Sequence, residues 1–377
     1  MESMQSCHER DHGDLQATRR RVIHRGITDR RPIHDSRRPD PDPSVTAASP
    51  DHLVPADPHT YPEACADRPR TPRHHPLRYA AFDLDGTLLD RRGRFLPGLA
   101  DGLTRLRDQG VRPLLVTGRS LSSFRGISPT DPVLTAFDDP LLLSHGNVLL
   151  RRTEGLITVT RALPEGIALR LAAAGLPDTV TETGDALVAR TRRAALAYSL
   201  AYDLPRSAVA TEPAGPDKGE SAVAVTVFGA AAGLSGKLAG LSHDLDRISA
   251  FQGCVVRPEG TCKAAALDAH LRETYGEEQG LSAVIAFGDS RNDGCLLGSA
   301  AYGVAVEGSD EIAVRHCDQL LTGPLADFLA TFDAHRRLPQ ASVTAHTTAR
   351  PPCFGAHAAG AAEKPVGAPS ATGRSGR

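Results

Sequence analysis

Short apolar runs alternate with helical segments over residues 77–146 and again over residues 255–333. The runs "RYAAFDL", "VRPLLVTG", "PLLLSHG", "SAVIAFGD" and "AAYGVAV" each have the length and composition of one buried strand. A helix is predicted after the first run, and "TCKAAALDAHLRETYG" predicts a later helix that begins near Thr261 and ends at Gly276. The alternation predicts an α/β fold, with a doubly wound, Rossmann-like parallel sheet covered by helices on both faces.

The stretch between these two segments interrupts the alternation. It begins with a hairpin-like piece, "NVLLRRTEGLITVTR", and continues with an irregular pattern. The elements predicted after the hairpin are helices near 164–175 and 234–248 and short strands near 187 and 223. We therefore expect an α+β domain, residues 147–254, inserted between two parts of the core, residues 77–146 and residues 255–333.

Both ends of the chain differ in composition from the middle. Residues 1–76 are rich in Arg, His, Asp and Pro, and residues 334–377 are rich in Ala, Pro, Thr and Gly. Large apolar residues are few in both segments, so neither can bury enough surface to offset the entropy lost on ordering. We expect a disordered N-terminal extension and a disordered C-terminal tail.

The composition excludes several classes of partner. The 377 residues carry a net charge of −2 and only 4% are aromatic, whereas a nucleic-acid-binding face needs a basic stripe with stacking aromatics. No apolar run approaches 18 residues and the N-terminus lacks an apolar signal segment, so we expect neither a membrane partner nor secretion. Seven scattered cysteines without C-x-x-C spacing predict free thiols and a cytoplasmic location, and the oligomeric state stays open.

Polar residues cluster where the predicted strands end. In an open α/β sheet the carboxyl ends of the strands meet at one edge, where ligands bind. The residues that this topology brings to the edge are Asp83, Asp85, Thr117, Lys263, Asp289, Asn292 and Asp293. Several carboxylates at one edge repel one another unless a cation joins them, and hard oxygen ligands suit Mg²⁺ bound together with a substrate phosphate. The sequence therefore predicts a site for Mg²⁺ and a small phosphorylated substrate.

Each part of this pattern has an alternative explanation. Taken alone, "DLDGT" suits a turn after a strand or a calcium-binding loop, and Lys263 suits a solvated helix position. Lysine occurs at only four positions, and this scarcity favours a chemical role for Lys263. Arg119 could contact the substrate or pair with an acid. The run formed by Arg190, Arg192 and Arg193 could meet an anionic substrate or simply be solvated.

The segments "DLDGT", "VTGR" and "GDSRND", together with the helical Lys263, resemble the four motifs of the haloacid dehalogenase superfamily in order and spacing. The long insertion between the second and third motifs resembles the C2-type cap of the Cof-type, or IIB, branch. The resemblance covers about residues 78–333. Two segments depart from the family pattern. His145 and Asn147 flank the glycine of a turn where relatives often show Asn-Gly-Ala, and Ser290 stands where many relatives carry Gly.

The resemblance implies a role for each motif residue. Asp83 is implied as the nucleophile that forms an aspartyl-phosphate, and Asp85 as the general acid and then the general base. Thr117 is implied as a hydroxyl donor to the phosphoryl oxygens, and Lys263 as the group that neutralises their charge. The implied metal ligands are Asp83, Asp85 (through its backbone), Asp289 and Asp293, and the implied phosphate- or substrate-binding residues are Gly86, Thr87, Gly118, Arg119 and Asn292.

The resemblance implies a Mg²⁺-dependent phosphatase that acts on a small phosphorylated metabolite. Ser290 makes the fourth motif similar to that of sucrose-phosphate and mannosyl-phosphoglycerate phosphatases, which points to a sugar phosphate. A phosphomutase of the phosphomannomutase type is the alternative on the same fold. A non-catalytic binding or regulatory module is the alternative from a different class, although every motif residue is present.

Overall fold

The computed structural model describes residues 21–24, 76–212, 221–229, 234–238, 243–248, 253–276 and 280–334. Apart from a few residues, the two segments predicted to be disordered lie outside the described residues. None of the helices in the described part of the chain combines the length and the hydropathy needed to cross a bilayer.

The described strands and helices alternate through most of the chain. The strands are β1 (Arg21–His24), β2 (Tyr79–Phe82), β3 (Arg112–Leu115), β4 (Leu141–Leu143), β5 (Val148–Arg151), β6 (Leu156–Val159), β7 (Thr179–Glu182), β8 (Leu187–Ala189), β9 (Ala210–Thr211), β10 (Ala224–Phe228), β11 (Asp244–Ile248), β12 (Gly253–Arg257), β13 (Val284–Gly288), β14 (Tyr302–Ala305) and β15 (Gln319–Leu320). The helices are α1 (Leu99–Asp108), α2 (Leu121–Phe124), α3 (Pro132–Thr135), α4 (Ile167–Ala173), α5 (Arg192–Ala201), α6 (Leu234–Lys237), α7 (Lys263–Tyr275), α8 (Gly294–Ser299), α9 (Glu311–His316) and α10 (Leu325–Thr331).

The core is a parallel sheet with strand order β15-β14-β13-β2-β3. Strand β2 pairs in parallel with both β13 and β3, and its register places Phe82 opposite Phe287 on one side and Leu115 on the other. The backbone N–H of Asp83 then donates to the carbonyl of Phe287 at 3.0 Å. The first residues after β2 and after β13 therefore lie side by side at one edge of the sheet.

Helices cover both faces of this sheet. On one face α1 and α10 pack onto it, and Leu103, Leu106 and Leu329 are fully buried there. On the other face α7 and α8 contribute Leu267 and Leu297, which are fully buried in a separate cluster. Burial on both faces explains why these strands read as continuous apolar runs rather than as alternating ones. The predicted doubly wound α/β core is confirmed.

The hairpin β5–β6 extends the core rather than the inserted domain. Strand β4 pairs antiparallel with β5, and an isolated parallel bridge joins Val116 to Leu142. The apolar side of the hairpin, including Val148, Leu150 and Ile157, packs into the core cluster. The expected boundary at residue 147 is therefore too early, because an apolar hairpin that follows a core strand gains most by pairing with that strand.

A short strand lies inside the segment expected to be disordered. Residues Arg21–His24 form β1, which pairs antiparallel with β6 from Val159 to Leu156. Without β1, this edge of β6 would present unpaired backbone groups, and pairing with β1 satisfies them. The expectation of disorder is wrong for these four residues, and the rest of 1–75 lies outside the described residues.

The inserted domain is built on a six-stranded sheet with order β11-β12-β10-β7-β8-β9. The sheet is antiparallel except between β8 and β9, and it carries α4 and α5. The helix expected over 234–248 is wrong in its second half. There α6 ends at Lys237, and β11 pairs antiparallel with β12 instead. Because β12 runs to Arg257 within this sheet, the chain leaves the inserted domain after 257 rather than at 254.

Candidate active site

Lys263 joins two carboxylates at the carboxyl edge of the core sheet. It is the first residue of α7, and its Nζ donates to Oδ1 of Asp83 at 2.5 Å and to Oδ1 of Asp293 at 2.7 Å. The side chain of Lys263 is completely buried. Burial opposes its charge, but Asp293 and Asp83 outweigh burial and raise the pKa of Lys263 above its ordinary value. Lys263 is therefore a permanent cation at this edge.

Three carboxylates surround this one ammonium group. Ligand oxygens of Asp83, Asp289 and Asp293 all lie within 4.8 Å of one another. Burial and the charge of Asp293 raise the pKa of Asp83 to about 8, and the same two causes raise the pKa of Asp289 to about 6. One lysine thus leaves the cluster short of positive charge. The donor set, made only of carboxylate oxygens, fits a hard divalent cation that would supply this charge.

Asp293 orients the loop that carries Asp289. It is fully buried, and its Oδ2 accepts from the backbone N–H groups of Asp289 and Ser290, both at 3.2 Å. Its other oxygen accepts from Lys263. Both oxygens of Asp293 are therefore engaged, which holds the 288–293 turn against the first residue of α7.

Gly86 and Thr87 lie against Asp289 rather than on the cavity wall. Gly86 has φ +78°, and a Cβ placed there would lie 2.2 Å from Oδ2 of Asp289. The buried hydroxyl of Thr87 donates to Oδ1 of Asp289 at 3.5 Å. In the described residues both positions therefore shape the acidic cluster, and the binding of phosphate or substrate that the resemblance implies for them stays a prediction. Only glycine permits this approach of the 83–87 loop to the carboxylate.

Arg119 holds the carboxylate of Asp85. Its Nε donates to Oδ2 at 2.7 Å and its Nη2 to Oδ1 at 2.5 Å, which is the bidentate geometry of a strong charged pair. Of the two alternatives for Arg119, pairing with an acid is the one observed. The carboxylate of Asp85 is half exposed to the cavity and lies outside the three-carboxylate cluster.

The loop after β3 forms a second wall. The hydroxyl of Thr117 accepts from the backbone N–H of Arg119 at 3.1 Å, and Ser120 caps α2 by accepting from the N–H of Ser123. Gly118 faces the ring of His145, and a Cβ there would lie 2.8 Å from its Cε1. Thr117, Gly118 and Arg119 line the same cavity as Asp83.

The turn after β4 brings His145 and Asn147 into the site. His145 has φ +58°, and its N–H donates to the carbonyl of Thr117 at 2.9 Å. Burial, then Arg257 and Lys263, lower its pKa well below 6.5, so the imidazole is neutral. Asn147 donates to the hydroxyl of Thr261 at 3.1 Å, two residues before Lys263. The turn therefore secures the entry to α7, which begins at Lys263 after Cys262 rather than at Thr261.

The inserted domain closes the cavity from above. The cavity has a volume of about 560 Å³, and it reaches from Asp83 and Lys263 to a set of side chains on the inserted sheet and on α5. These upper residues are Glu182, Tyr198, Tyr202, Thr226 and Arg257. No sequence motif identifies these residues. The one available signal is the charged residue Glu182 at the end of β7, whose other residues are Thr and Val.

The arginine run of the inserted domain lies elsewhere. Arg190, Arg192 and Arg193 are absent from the cavity lining, and Arg193 instead pairs with Asp178 at 3.5 Å. Of the two alternatives for this run, exposure to solvent rather than contact with a substrate is the one observed for Arg192 and Arg193. Arg257, at the end of β12, is the arginine that the inserted domain contributes to the cavity wall in the described residues.

Comparison with known proteins gives a consistent result. The family model described as haloacid dehalogenase-like hydrolase matches residues 80–174 and 243–324. A phosphoglycolate phosphatase of Aeropyrum pernix is 35% identical over 97 residues, which cover 25% of this chain and 39% of the relative. The match thus spans about two fifths of that relative's length.

Solved structures share the fold over about two thirds of this chain, at lower identity. A haloacid dehalogenase-like hydrolase from Bacteroides thetaiotaomicron is 19% identical with a TM-score of 0.55, over 67% of this chain and 98% of that one. A subclass IIB sugar phosphatase is 20% identical with a TM-score of 0.51, over 64% of this chain and 92% of that one. At these identities the likeness establishes the fold alone.

Proposed function

Because this chain belongs to the haloacid dehalogenase-like hydrolases, we propose that it is a Mg²⁺-dependent phosphatase of a small phosphorylated metabolite. The observation that carries the proposal is the buried contact of Lys263 with Asp83 and Asp293 beside Asp289. Such a cluster holds one buried cation against Asp83, and a bound divalent cation would add the positive charge that the three carboxylates leave missing. That is the arrangement needed to bring an anionic phosphate ester to an anionic nucleophile.

In the proposed reaction Asp83 attacks the phosphorus atom. A new bond forms between its carboxylate oxygen and phosphorus, the ester P–O bond breaks, and Asp85 gives its proton to the leaving oxygen. Asp85 then takes a proton from a water molecule that attacks the aspartyl-phosphate. This second step releases inorganic phosphate and regenerates Asp83.

The remaining residues hold the phosphoryl group and the acid in place. Lys263 offsets the charge on the phosphoryl oxygens, and the hydroxyl of Thr117 and the amide of Asn292 bind and orient them. Gly118 keeps this wall narrow, and Arg119 fixes Asp85 at the cavity.

We assign the metal ion to the edge that Gly86 and Thr87 shape. Its proposed ligands are the carboxylates of Asp83 and Asp289 and the backbone of Asp85. Asp293 would assist by holding the loop that carries Asp289. When bound, Mg²⁺ supplies positive charge that stabilises the phosphoryl oxygens. A cytoplasmic location is part of the proposal, since free thiols persist in a reducing compartment.

A sugar phosphate is the substrate class that we favour. The upper wall combines a carboxylate, a guanidinium and three hydroxyl groups, which is a lining suited to a hydroxyl-rich molecule. The family also includes the sugar phosphatase described above, and the cavity volume of about 560 Å³ accommodates a molecule of this size. A phosphomutase would use the same floor, but it would return the phosphoryl group to a sugar rather than to water.

The test is phosphate release from p-nitrophenyl phosphate and from a panel of sugar phosphates. We expect release with Mg²⁺, none with EDTA, and none from Asp83→Asn. Asp101→Asn, on the exposed side of α1, is the matched control and should retain full activity. Isomerised sugar phosphate without phosphate release would replace the proposal with the mutase. Equal activity of Asp83→Asn and of the parent protein would contradict it.

A further inference from the structure

Glu182 is the acidic side chain that the inserted domain places in the cavity wall among the described residues. It ends β7, it is 9% exposed, and its Oε1 accepts from the hydroxyl of Ser144. Ser144 belongs to the core, at the turn after β4, and its own N–H donates to the carbonyl of Arg119 at 2.8 Å. Glu182 therefore joins the inserted domain to the core turn after β4 at the wall of the cavity.

The second carboxylate oxygen of Glu182 has no hydrogen-bond partner among the residues that the structure describes. The hydroxyl of Ser144 donates to the other oxygen, Oε1. Glu182 lines the cavity, and Oε2 is not among the buried side-chain oxygens that lack a partner, so this oxygen is open to a hydroxyl group of a ligand in the cavity. Burial also raises the pKa of Glu182 to about 7, against the opposing effects of Ser144 and Arg257.

The charges around Glu182 come from several elements. Arg257, on β12, attracts it and is a second charged group of the upper wall. Tyr198 and Tyr202, on and just after α5, present hydroxyl groups, and His145 is neutral for the reasons given above. When it is ionised, Glu182 therefore places a negative charge on the upper wall of the cavity.

We propose that Glu182 is a specificity-determining residue that binds a hydroxyl group of the substrate and excludes substrates with a carboxylate at the same position. A hydroxyl donates to the free oxygen of Glu182, whereas a carboxylate has no proton to donate and is repelled by the buried negative charge. This inference rests on the proposed function, since it names the substrates that the proposed phosphatase accepts. It separates neutral polyol phosphates from acidic ones such as phosphoglycolate.

The experiment compares two ligands that differ at one carbon. Glucitol 6-phosphate and 6-phosphogluconate are open six-carbon chains with CH₂OH in the first and COO⁻ in the second, opposite the phosphate end. Their dissociation constants are measured by calorimetry at pH 8, above the raised pKa of Glu182, with Mg²⁺ present. The two proteins compared are Asp83→Asn, where no turnover is expected, and Asp83→Asn combined with Glu182→Gln. Gln keeps the acceptor for Ser144 and removes only the charge.

We expect the Asp83→Asn protein to prefer glucitol 6-phosphate, and Glu182→Gln to shift the ratio of the two constants toward 6-phosphogluconate by ~10-fold or more. Glu165→Gln, an exposed glutamate of the inserted domain that does not line the cavity, is the matched control and should leave the ratio unchanged. An unchanged ratio in Glu182→Gln, or no binding of either ligand, would overturn the inference.

Turnover separates this inference from the proposed function. The parent protein and Glu182→Gln are also assayed with p-nitrophenyl phosphate, which carries neither a distal hydroxyl nor a carboxylate. If this ester is hydrolysed and the binding ratio does not shift, the specificity role is wrong and the phosphatase stands. If the ratio shifts and no ester is hydrolysed, the specificity role stands and the phosphatase is wrong.

Discussion

Arg119 binds the carboxylate of Asp85 through two hydrogen bonds, from Nε to Oδ2 at 2.7 Å and from Nη2 to Oδ1 at 2.5 Å. Asp85 lies two residues after the proposed nucleophile, on a loop, and its side chain is half exposed. A carboxylate on an exposed loop has many orientations, and the planar fork of an arginine restricts it to one. The pair therefore fixes the orientation of the proposed acid at the cavity.

Replacing Arg119 by lysine should lower kcat by ~10- to 100-fold, because a point charge does not orient a carboxylate as a fork does. Measured on p-nitrophenyl phosphate, the loss should fall on kcat more than on KM. Arg94→Lys is the matched control, since Arg94 forms an exposed pair with Asp90 outside the cavity. Equal kcat values for Arg119→Lys and the parent protein would show that the pair has no part in catalysis.

Replacing Gly86 by alanine should displace Asp289, because the added Cβ would lie 2.2 Å from its Oδ2. We expect weaker Mg²⁺ binding and a large loss of activity, in addition to the ~1–2 kcal/mol that alanine costs at positive φ. Gly93→Ala isolates that second effect, since Gly93 has φ +71° and no atom within 4 Å of the added Cβ. The account predicts that Gly93→Ala loses stability alone. Comparable activity in the two variants would contradict it.

Mg²⁺ should stabilise the folded protein. The cluster of Asp83, Asp289 and Asp293 is short of positive charge, so a cation at ~100 times its dissociation constant should add about 2.7 kcal/mol to the free energy of unfolding. Denaturant unfolding with MgCl₂ and with EDTA measures this difference. Asp289→Asn should lose most of it, whereas the exposed Asp101→Asn should keep it. A Mg²⁺ effect of the same size in Asp289→Asn would place the ion elsewhere.

Glu182 should make the protein less stable at alkaline pH. Its pKa is raised from 4.5 to about 7, so the folded state holds this proton more tightly than the unfolded state does. The contribution of Glu182 therefore falls as the pH rises from 4.5 through 7, and above pH 7 it amounts to a penalty of about 3 kcal/mol. Glu182→Gln should be more stable than the parent protein at pH 8 and equally stable at pH 4. Equal stability at both pH values would contradict the raised pKa.

Much of the core was predictable because its strands are buried on both faces. Such strands are continuous apolar runs, and their ends mark the polar edge of the sheet. The sequence therefore predicted that Asp83, Thr117 and Lys263 would meet, and the structure brings all three to one cavity. The contact of Gly86 and Thr87 with Asp289 was not predictable, because it joins residues about 200 positions apart that only the fold brings together.

The inserted domain was predicted only as an α+β insertion. The element at 244–248 is a strand because β12 lies beside it, and this long-range pairing leaves little trace in "DLDRI". Glu182, Tyr198 and Arg257 belong to three different elements and share no spacing, so no motif connects them. Arg190 and Arg193 were candidates because of their charge, but neither lines the cavity. Glu182 and Arg257 do, because β7 and β12 end at the cavity.

The central claim, that Asp83 accepts the phosphoryl group, is tested most directly by trapping the intermediate. The protein carrying Asp85→Asn, in which attack by water should be slow, is mixed with p-nitrophenyl phosphate and Mg²⁺, quenched with acid, digested and analysed by mass spectrometry. The account predicts a phosphoryl group on the peptide that contains Asp83, and none when Asp83→Asn is added. Phosphate release by a protein whose Asp83 peptide never carries a phosphoryl group would contradict it.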